Sequence, residues 1–227
     1  LTSDSFFNFS QLYSILHRQS GVRLENYSLP ILKYHQFISK YFQKIGTIII
    51  PSIKINKVMY SEKKEKKIPY INGGYMISEQ QYKGWLNNQD LAGLIWFSKD
   101  YKKTTLSLNK EKVSVTIEKP KTKIVVLSGS KPSYNIIVKA NALLIQNEEE
   151  RSISNIEEDI NKKIKKEILT TVKKGIDIET DPLNISEKTY RYYQRKWDLN
   201  TIKAFDKRSI KNIRVLIHIE QSENYKR

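Results

Sequence analysis

The chain has 227 residues, with no cysteine, three histidines and a formal net charge of +16. The absence of cysteine excludes disulfides, thiol catalysis and thiolate metal sites, and no apolar run approaches the ~20 residues that a membrane-spanning helix needs. The positive charge suits a polyanionic partner, either nucleic acid or an anionic membrane surface, although lysine outnumbers the arginine that nucleic-acid readers prefer.

Two helices are predicted before the first strand. Aromatic and aliphatic side chains recur at helical spacing within residues 6–17. Pro30 can open a second helix that runs to about Gln43, because proline suits the first helical turn. A short β-branched run at 47–50 follows, and Pro51 is expected to stop it.

A β-hairpin is predicted next. Residues 53–60 and 68–77 both have strand character, and the second run surrounds Gly73 and Gly74. The charged run 62–67 between them contains no apolar residue. We therefore expect this run to form a solvated hairpin tip.

Residues 81–97, QYKGWLNNQDLAGLIWF, form the most distinctive stretch of the sequence. Residues 82–86 are predicted as a strand, and Asn87 or Asn88 can cap a following helix that ends near Trp96. Aromatic density can serve base stacking, but these aromatic residues lie among aliphatic ones. The pattern favours core packing.

The polar run 99–103 is the predicted domain boundary, with one domain at 1–101 and the other at 102–227. Residues 113–118 alternate apolar and polar side chains, which is typical of an antiparallel sheet with one solvated face. We expect an α+β protein of two domains, each with a largely antiparallel sheet packed against helices. The strands predicted in the second domain are 104–108, 113–118, 122–127, 134–145 and a closing strand at 212–220.

A long helix is predicted at 154–174, before Gly175. Ser154 and Glu157 fit a capping box, and Gly175 is the expected left-handed stop. The spacing favours a helix that covers the second sheet over an amphipathic helix that binds a partner. The apolar face comprises Ile153, Ile156, Ile160, Ile164, Ile168, Leu169 and Val172.

The chain then breaks at Asp181-Pro182, and a second capping box is predicted at Asn184 and Glu187. The helix that follows is rich in tyrosine and contains Trp197. The sequence has no glycine-rich phosphate loop, no H-E-x-x-H or G-x-S-x-G motif and no calcium loop. We therefore predict no catalytic residues, no cofactor and no metal site.

Three short segments together resemble the Ger(x)C family, the C subunits of spore-germination nutrient receptors. They are Gly-Gly-Tyr-Met at 73–76, Lys-Gly-Trp-Leu at 83–86 and Gly-Leu-Ile-Trp at 93–96. The two strands at 113–126, the lysine-rich helix and the Tyr/Lys/Trp helix follow in the family's order. The resemblance covers about 68–220 and departs from the family at 179–182, where members have Gly-Phe-Gly. The motif residues, which the resemblance marks as mainly structural, are Gly73, Gly74, Gly84, Trp85, Leu86, Gly93, Trp96 and Trp197.

The resemblance implies a non-catalytic subunit without a cofactor that assembles with two membrane-embedded partner subunits of the A and B type and triggers germination. The whole protein would be a lipoprotein on the outer face of the spore's inner membrane. This chain would be its second and third domains, a soluble portion that lacks the first domain and the acylated cysteine.

Two lysine clusters are candidate contacts to an anionic membrane surface. The alternative function is a basic single-stranded nucleic-acid-binding protein that uses exposed tyrosines; steep salt dependence would distinguish it. The resemblance implies no nucleic acid partner. The first cluster is Lys63, Lys64, Lys66 and Lys67, and the second is Lys162, Lys163, Lys165 and Lys166.

Overall fold

Two β-sheets and the helices around them make up the part of the chain that the structure describes. The computed structural model describes residues 29, 34–61, 64–98, 103–108 and 112–221, with the side chains of 56–70 and 221 left out. The helix predicted at 6–17 lies outside these residues, as does Pro30. Helix α1, Tyr34–Tyr41, confirms the second predicted helix over that span, and none of its side chains is buried.

The first sheet has the order β1-β2-β3 and is antiparallel, with β1 at Thr47–Ser61, β2 at Lys64–Ser78 and β3 at Gln81–Asn87. The predicted hairpin is therefore confirmed, with strands that reach closer to its tip than expected. The prediction that Pro51 stops the first strand is wrong. Pro51 pairs with Gly74 inside β1, which is tolerated because β1 is the edge strand of this sheet among the described residues.

A single 3₁₀ turn, Ala92–Trp96, replaces the α-helix predicted after β3. The Asn87 side chain accepts a hydrogen bond from the backbone N–H of Asp90 at 2.8 Å, so it closes a local turn rather than capping an α-helix. Ile95 and Trp96 are buried by this turn.

The second sheet has the order β4-β5-β6-β7, and only its first three strands are antiparallel. The closing strand β7 runs parallel to β6, so the sheet is mixed. A parallel neighbour requires a long crossover connection, and the chain between β6 and β7 provides it. The strands are β4 at Lys103–Leu108, β5 at Val113–Leu127, β6 at Ser133–Asn147 and β7 at Ile210–Gln221.

Strand β5 is continuous where two strands were predicted. A bulge between Glu118 and Lys121 interrupts its pairing with β6, and Lys119 has a positive φ of 43°. The bulge keeps the apolar residues of both halves on one face of the sheet, since it adds a residue to one strand only.

The crossover contains helix α2, Ile153–Asp177, which packs its apolar stripe on the second sheet. The stripe is confirmed as core, with the exception of Leu169, which is 47% exposed. Ser152, not Ser154, is the N-cap and accepts from Asn155 N, so the predicted capping box is wrong. The buried stripe is Ile156, Ile160, Ile164, Ile168 and Val172.

Gly175 lies inside α2 rather than at a left-handed stop, because the helix continues for two more residues. A Cβ atom at this position would lie 2.2 Å from Cδ of Pro182. Gly175 is thus required by the close approach of the returning chain, not by backbone conformation.

Three short helices connect α2 to β7: α3 at Ile185–Tyr192, α4 at Leu199–Lys203 and a 3₁₀ turn at Lys207–Ser209. Trp197 and Ile202 bury against Ile45, so this region packs on the start of the first sheet. No helix in the described ranges has the length and apolar character to cross a bilayer.

Candidate functional site

The glycines of the motif residues lie where backbones approach other atoms closely. A Cβ on Gly73 would lie 2.2 Å from the carbonyl oxygen of Leu86, and a Cβ on Gly74 would lie 2.6 Å from a methyl carbon of Ile49. The indole of Trp85 lies over Gly73. The absence of a side chain at both positions therefore allows β1 and β3 to pack closely against β2.

Gly93 packs the 3₁₀ turn against α2, and Gly84 packs β3 against Ile178, the residue that follows α2. The backbone N–H of Gly93 donates to Oγ1 of Thr171 at 3.0 Å, and that hydroxyl donates to the carbonyl oxygen of Asp90 at 2.6 Å. Gly84 has a φ of +157°, and a Cβ there would lie 3.3 Å from the Ile178 side chain. Both glycines therefore allow close contact between segments far apart in sequence.

Trp96 and Glu167 form a polar pair at the edge of the core. Nε1 of Trp96 donates to the Glu167 carboxylate at 2.9 Å. Burial raises the pKa of Glu167 to about 7, while the Trp96 hydrogen bond and the charge of Lys163 oppose that rise. Trp197, the last motif residue, donates to the carbonyl oxygen of Gly129 at 3.1 Å.

The second lysine cluster divides between two environments. Nζ of Lys163 donates to the carbonyl oxygen of Ser107 at 3.1 Å, so this lysine points back to the second sheet. Lys162, Lys165 and Lys166 are exposed on the outer side of α2, and Lys162 forms an ion pair with Glu158. In the first cluster, Lys64, Lys66 and Lys67 lie in strand β2, and the structure describes none of their side chains, nor Lys63.

A cavity of about 350 Å³ lies where the start of the first sheet meets the segment between α2 and α3. Two groups of residues line it: Ile45, Gly46, Thr47, Ser78, Glu79 and Lys83 on one wall, and Ile176, Glu179, Thr180, Asp181, Ser186, Lys203 and Phe205 on the other. The sequence analysis did not predict it.

Asn184 links the segment between α2 and α3 to Thr47, which lines this cavity. Its side chain accepts from the backbone N–H of Thr47 at 2.6 Å and donates to the Thr47 carbonyl oxygen at 3.2 Å. Asn184 has a left-handed conformation with φ 51°, and its side chain does not cap α3. The predicted second capping box is therefore wrong, because the Asn184 amide is used for tertiary pairing.

Asp181 is a buried carboxylate that lines the cavity. Its Oδ2 accepts from the backbone N–H and the hydroxyl of Ser186, at 2.8 and 2.7 Å. Its Oδ1 is buried and has no hydrogen-bond partner among the described residues. Burial raises the pKa of Asp181 to about 6, against the lowering effect of the bonds from Ser186 and Ile185.

Two ion pairs lie beside Asp181 in the lining of the cavity. Lys83 lies 3.5 Å from Glu179, and Lys203 pairs with Glu79. These partners are 96 and 124 residues apart in sequence, so no local spacing relates them. Asp181, which the sequence analysis interpreted as part of a break in the chain, thus lies with four other charged side chains in the lining of the cavity. In the described ranges no three His, Asp or Glu side chains are grouped as metal ligands.

Comparison with known proteins gives one family and one solved structure. Residues 72–222 match the family model described as "Spore germination B3/GerAC like, C-terminal". The structure described as "Crystal Structure of the GerBC protein" aligns with a TM-score of 0.61 and 18% identity over 89% of this chain. The chain spans 66% of the length of that structure, and the likeness shows the fold. No curated protein matches.

Proposed function

Because the chain belongs to the spore germination B3/GerAC-like family, we propose that it acts by assembly, as a non-catalytic part of a receptor that triggers germination. The family consists of C subunits of germinant receptors and typically contains membrane-associated lipoproteins. The observation that carries the proposal is the family match over 72–222. That range includes the Gly93–Thr171 and Trp96–Glu167 contacts between the 3₁₀ turn and α2.

The partners we propose are the membrane-embedded A-type and B-type subunits of the same receptor. The whole protein would be held by a lipid anchor on the outer face of the spore's inner membrane. An anchored protein samples the bilayer surface continuously, so even a weak orienting interaction affects which of its faces meets the partners.

The outer side of α2 supplies such an orienting interaction. Lys162, Lys165, Lys166 and Lys173 are exposed there around the exposed side chain of Leu169, and we call this surface the outward lysine face. The opposite side of the helix is packed on the second sheet. A lysine close to an anionic bilayer contributes ~1 kcal/mol, and the attraction decays over a Debye length of about 8 Å. The face would therefore turn α2 towards the membrane.

A second candidate function, single-stranded nucleic-acid binding, has one observation in its favour. Tyr192 is 73% exposed and Tyr193 is 38% exposed at the end of α3. Arg191, Arg195 and Lys196 are exposed beside them. Stacking platforms of this kind bind single strands with steep salt dependence, so binding to an oligonucleotide that persists at physiological salt would favour this function.

The proposed assembly is tested by purification of the full-length protein from spores. An affinity tag is placed at its chromosomal locus, spores are broken in mild detergent, and the co-purifying proteins are identified. We expect the A-type and B-type subunits of one receptor to be recovered together, and an equally tagged unrelated spore lipoprotein to recover neither. Recovery of the intact tagged protein without either subunit would contradict the proposal.

A further inference from the structure

Helix α1 presents an apolar stripe that the described part of the chain leaves uncovered. Tyr34 is 79% exposed, Ile38 is 36% exposed, and Phe42, directly after the helix, is 66% exposed. These three residues are spaced by four, so they lie along one side of the helix. An amphipathic helix of a globular protein normally packs its apolar side on the core, whereas α1 has no buried side chain.

One edge of this apolar side is attached to the first sheet. Phe37 and Tyr41 form that edge, and both are half-buried. The Tyr41 hydroxyl donates to the carbonyl oxygen of Gln80, in the turn between β2 and β3, at 3.5 Å. The Tyr41 ring lies 5.6 Å from that of Phe37 and 5.3 Å from that of Phe42, measured between centroids. The helix is therefore held by one edge while the stripe beside it stays exposed.

The charge around α1 favours an anionic partner. Residues 26–61 contain five lysines and no Asp or Glu. Lys40 and Lys44 form no ion pair in the described ranges. Glu79, in the turn that α1 contacts, is already paired with Lys203. Attraction to an anionic surface extends over a Debye length of about 8 Å, so the lysines act without direct contact.

We propose that α1 is an interfacial helix, which lies on an anionic lipid bilayer and inserts Tyr34, Ile38 and Phe42 between the headgroups. Helices of this kind combine lysines with an apolar side of aromatic and aliphatic residues. Tyrosine suits this position, because its ring is apolar while its hydroxyl stays in contact with water. A helix of eight residues is marginal in water, and burial of its stripe in the bilayer stabilises it.

This inference rests on the proposed attachment of the protein to a membrane and adds an apolar contact to it. The outward lysine face acts by charge, which salt screens, whereas the stripe of α1 acts by removal of apolar surface from water. The partner subunits take no part in vesicle binding by the isolated chain. Failure of the α1 contact and failure of the proposed assembly are therefore distinguishable.

The test uses single engineered cysteines, because the chain has none and each variant therefore carries one fluorophore. The environment-sensitive dye NBD is attached to I38C or F42C, and the chain is mixed at low salt with phosphatidylglycerol-rich vesicles. We expect the emission of both labels to shift to shorter wavelength and to be quenched by lipids that carry a nitroxide near the headgroup. S39C, on the polar side of α1, and S130C, in the turn after β5, are exposed controls whose emission should not change.

Two serine substitutions test the apolar contribution without a dye. I38S/F42S should lower vesicle partitioning about tenfold, because less apolar surface is buried. L216S removes an exposed leucine of β7 and should leave partitioning unchanged. Unchanged partitioning of I38S/F42S would overturn the proposal, and loss of the co-purified subunits in that variant would then assign the stripe to a protein partner.

Three results of the dye experiment would also overturn the proposal. The first is a chain that does not bind the vesicles, or that binds them without a response at positions 38 and 42. The second is an equal response at the control positions 39 and 130. The third is emission from position 42 that is already at short wavelength before vesicles are added, since another segment of the chain would then cover the stripe.

Discussion

Trp96 donates its indole N–H to Glu167 at 2.9 Å, across 71 residues of sequence. The ring is 1% exposed and belongs to the core of the second sheet, although it follows the strands of the first. The pair brings a carboxyl group into a buried environment, where its ionised form is disfavoured.

The Glu167 carboxyl should make stability depend on pH. Its pKa is about 7 in the folded chain against an ordinary value of 4.5, so the folded state holds the proton more tightly. The contribution of Glu167 to the free energy of unfolding is therefore greatest below pH 4.5. About 3 kcal/mol of this contribution is lost as the pH rises through 7. Urea unfolding at a series of pH values should show this decline in the wild type.

The variant E167Q keeps an acceptor for Trp96 and removes the titration, so the decline above pH 4.5 should become shallower. Asp181, whose pKa is raised to about 6, would account for most of the remaining slope. E158Q, an exposed position on the same helix, is the control and should leave the slope unchanged. An E167Q slope equal to that of the wild type would mean that Glu167 is not buried with a raised pKa.

We expect the buried side chain of Ile164 to contribute strongly to the free energy of unfolding. It is fully buried at the centre of the α2 stripe. I164A should lower the free energy of unfolding by ~2–5 kcal/mol, while L169A on the exposed side of the same helix should change it by less than about 0.5 kcal/mol. Chemical denaturation measures both, and similar losses would indicate that α2 packs through a different face.

Gly175 should resist substitution even though alanine is the better helix former. A Cβ there would lie 2.2 Å from Cδ of Pro182 and 2.9 Å from the Thr180 carbonyl oxygen. The clash should cost ~1–3 kcal/mol and outweigh the ~1 kcal/mol gained in helix propensity. At Gly129 the nearest atom is an ordinary 3.4 Å away, so G129A should be nearly neutral in the same thermal or urea unfolding assay. A stabilised G175A would show that Pro182 can move.

The outward lysine face should bind anionic vesicles. We expect the chain to sediment with phosphatidylglycerol-rich vesicles at low salt and to release near physiological salt. Replacement of Lys162, Lys165 and Lys166 by glutamine should reduce partitioning by up to about 100-fold, from ~1 kcal/mol for each lysine.

The matched control for the vesicle experiment removes three exposed lysines from the opposite face of the second sheet: Lys121, Lys123 and Lys139. Both triple variants have the same net charge, so only the position differs. An equal loss of binding in the two variants would mean that overall charge, and not the outward lysine face, drives adsorption.

Residues 104–227 are predicted to fold as a separate domain, with reduced stability. This fragment keeps α2 and the second sheet except for Lys103, the first residue of β4, but loses Ile95 and Trp96, which pack in the same core. We expect cooperative melting at a lower temperature than residues 88–227, since loss of a buried tryptophan costs ~3–5 kcal/mol. A fragment 104–227 with no cooperative transition would overturn the predicted boundary, whereas equal stability of the two fragments would mean that Trp96 contributes little.

Much of the fold could be predicted from local patterns. Isoleucines at every fourth residue predicted the buried face of α2. The strict alternation of apolar and polar residues predicted the inward face of β7, at Ile213, Val215, Ile217 and Ile219. These predictions succeed because helical and strand periods are properties of consecutive residues. The order of Gly, Trp and Leu segments likewise carried the resemblance that the family match confirms.

Other features depended on contacts between distant segments. The capping-box spacing to Glu157 predicted Ser154 as the N-cap of α2, whereas the structure uses Ser152, whose side chain accepts from Asn155 N. The direction of β7 depended on how α2 crosses the sheet. The need for glycine at position 175 depended on the close approach of Pro182. Patterning specifies which face is buried but not which neighbour lies against it.

The cavity was decided by tertiary structure alone. Asp181, Glu79 and Lys203 come from three separate segments, and Asp181 precedes a proline, where a turn is the ordinary interpretation. The backbone of Asp181 donates to Oγ1 of Thr47, and the backbone of Thr47 donates to Asn184, so contacts across more than 130 residues fix where its carboxylate lies. Composition and periodicity determined the class of protein and its core, while the charged site arose from long-range pairing that no local rule encodes.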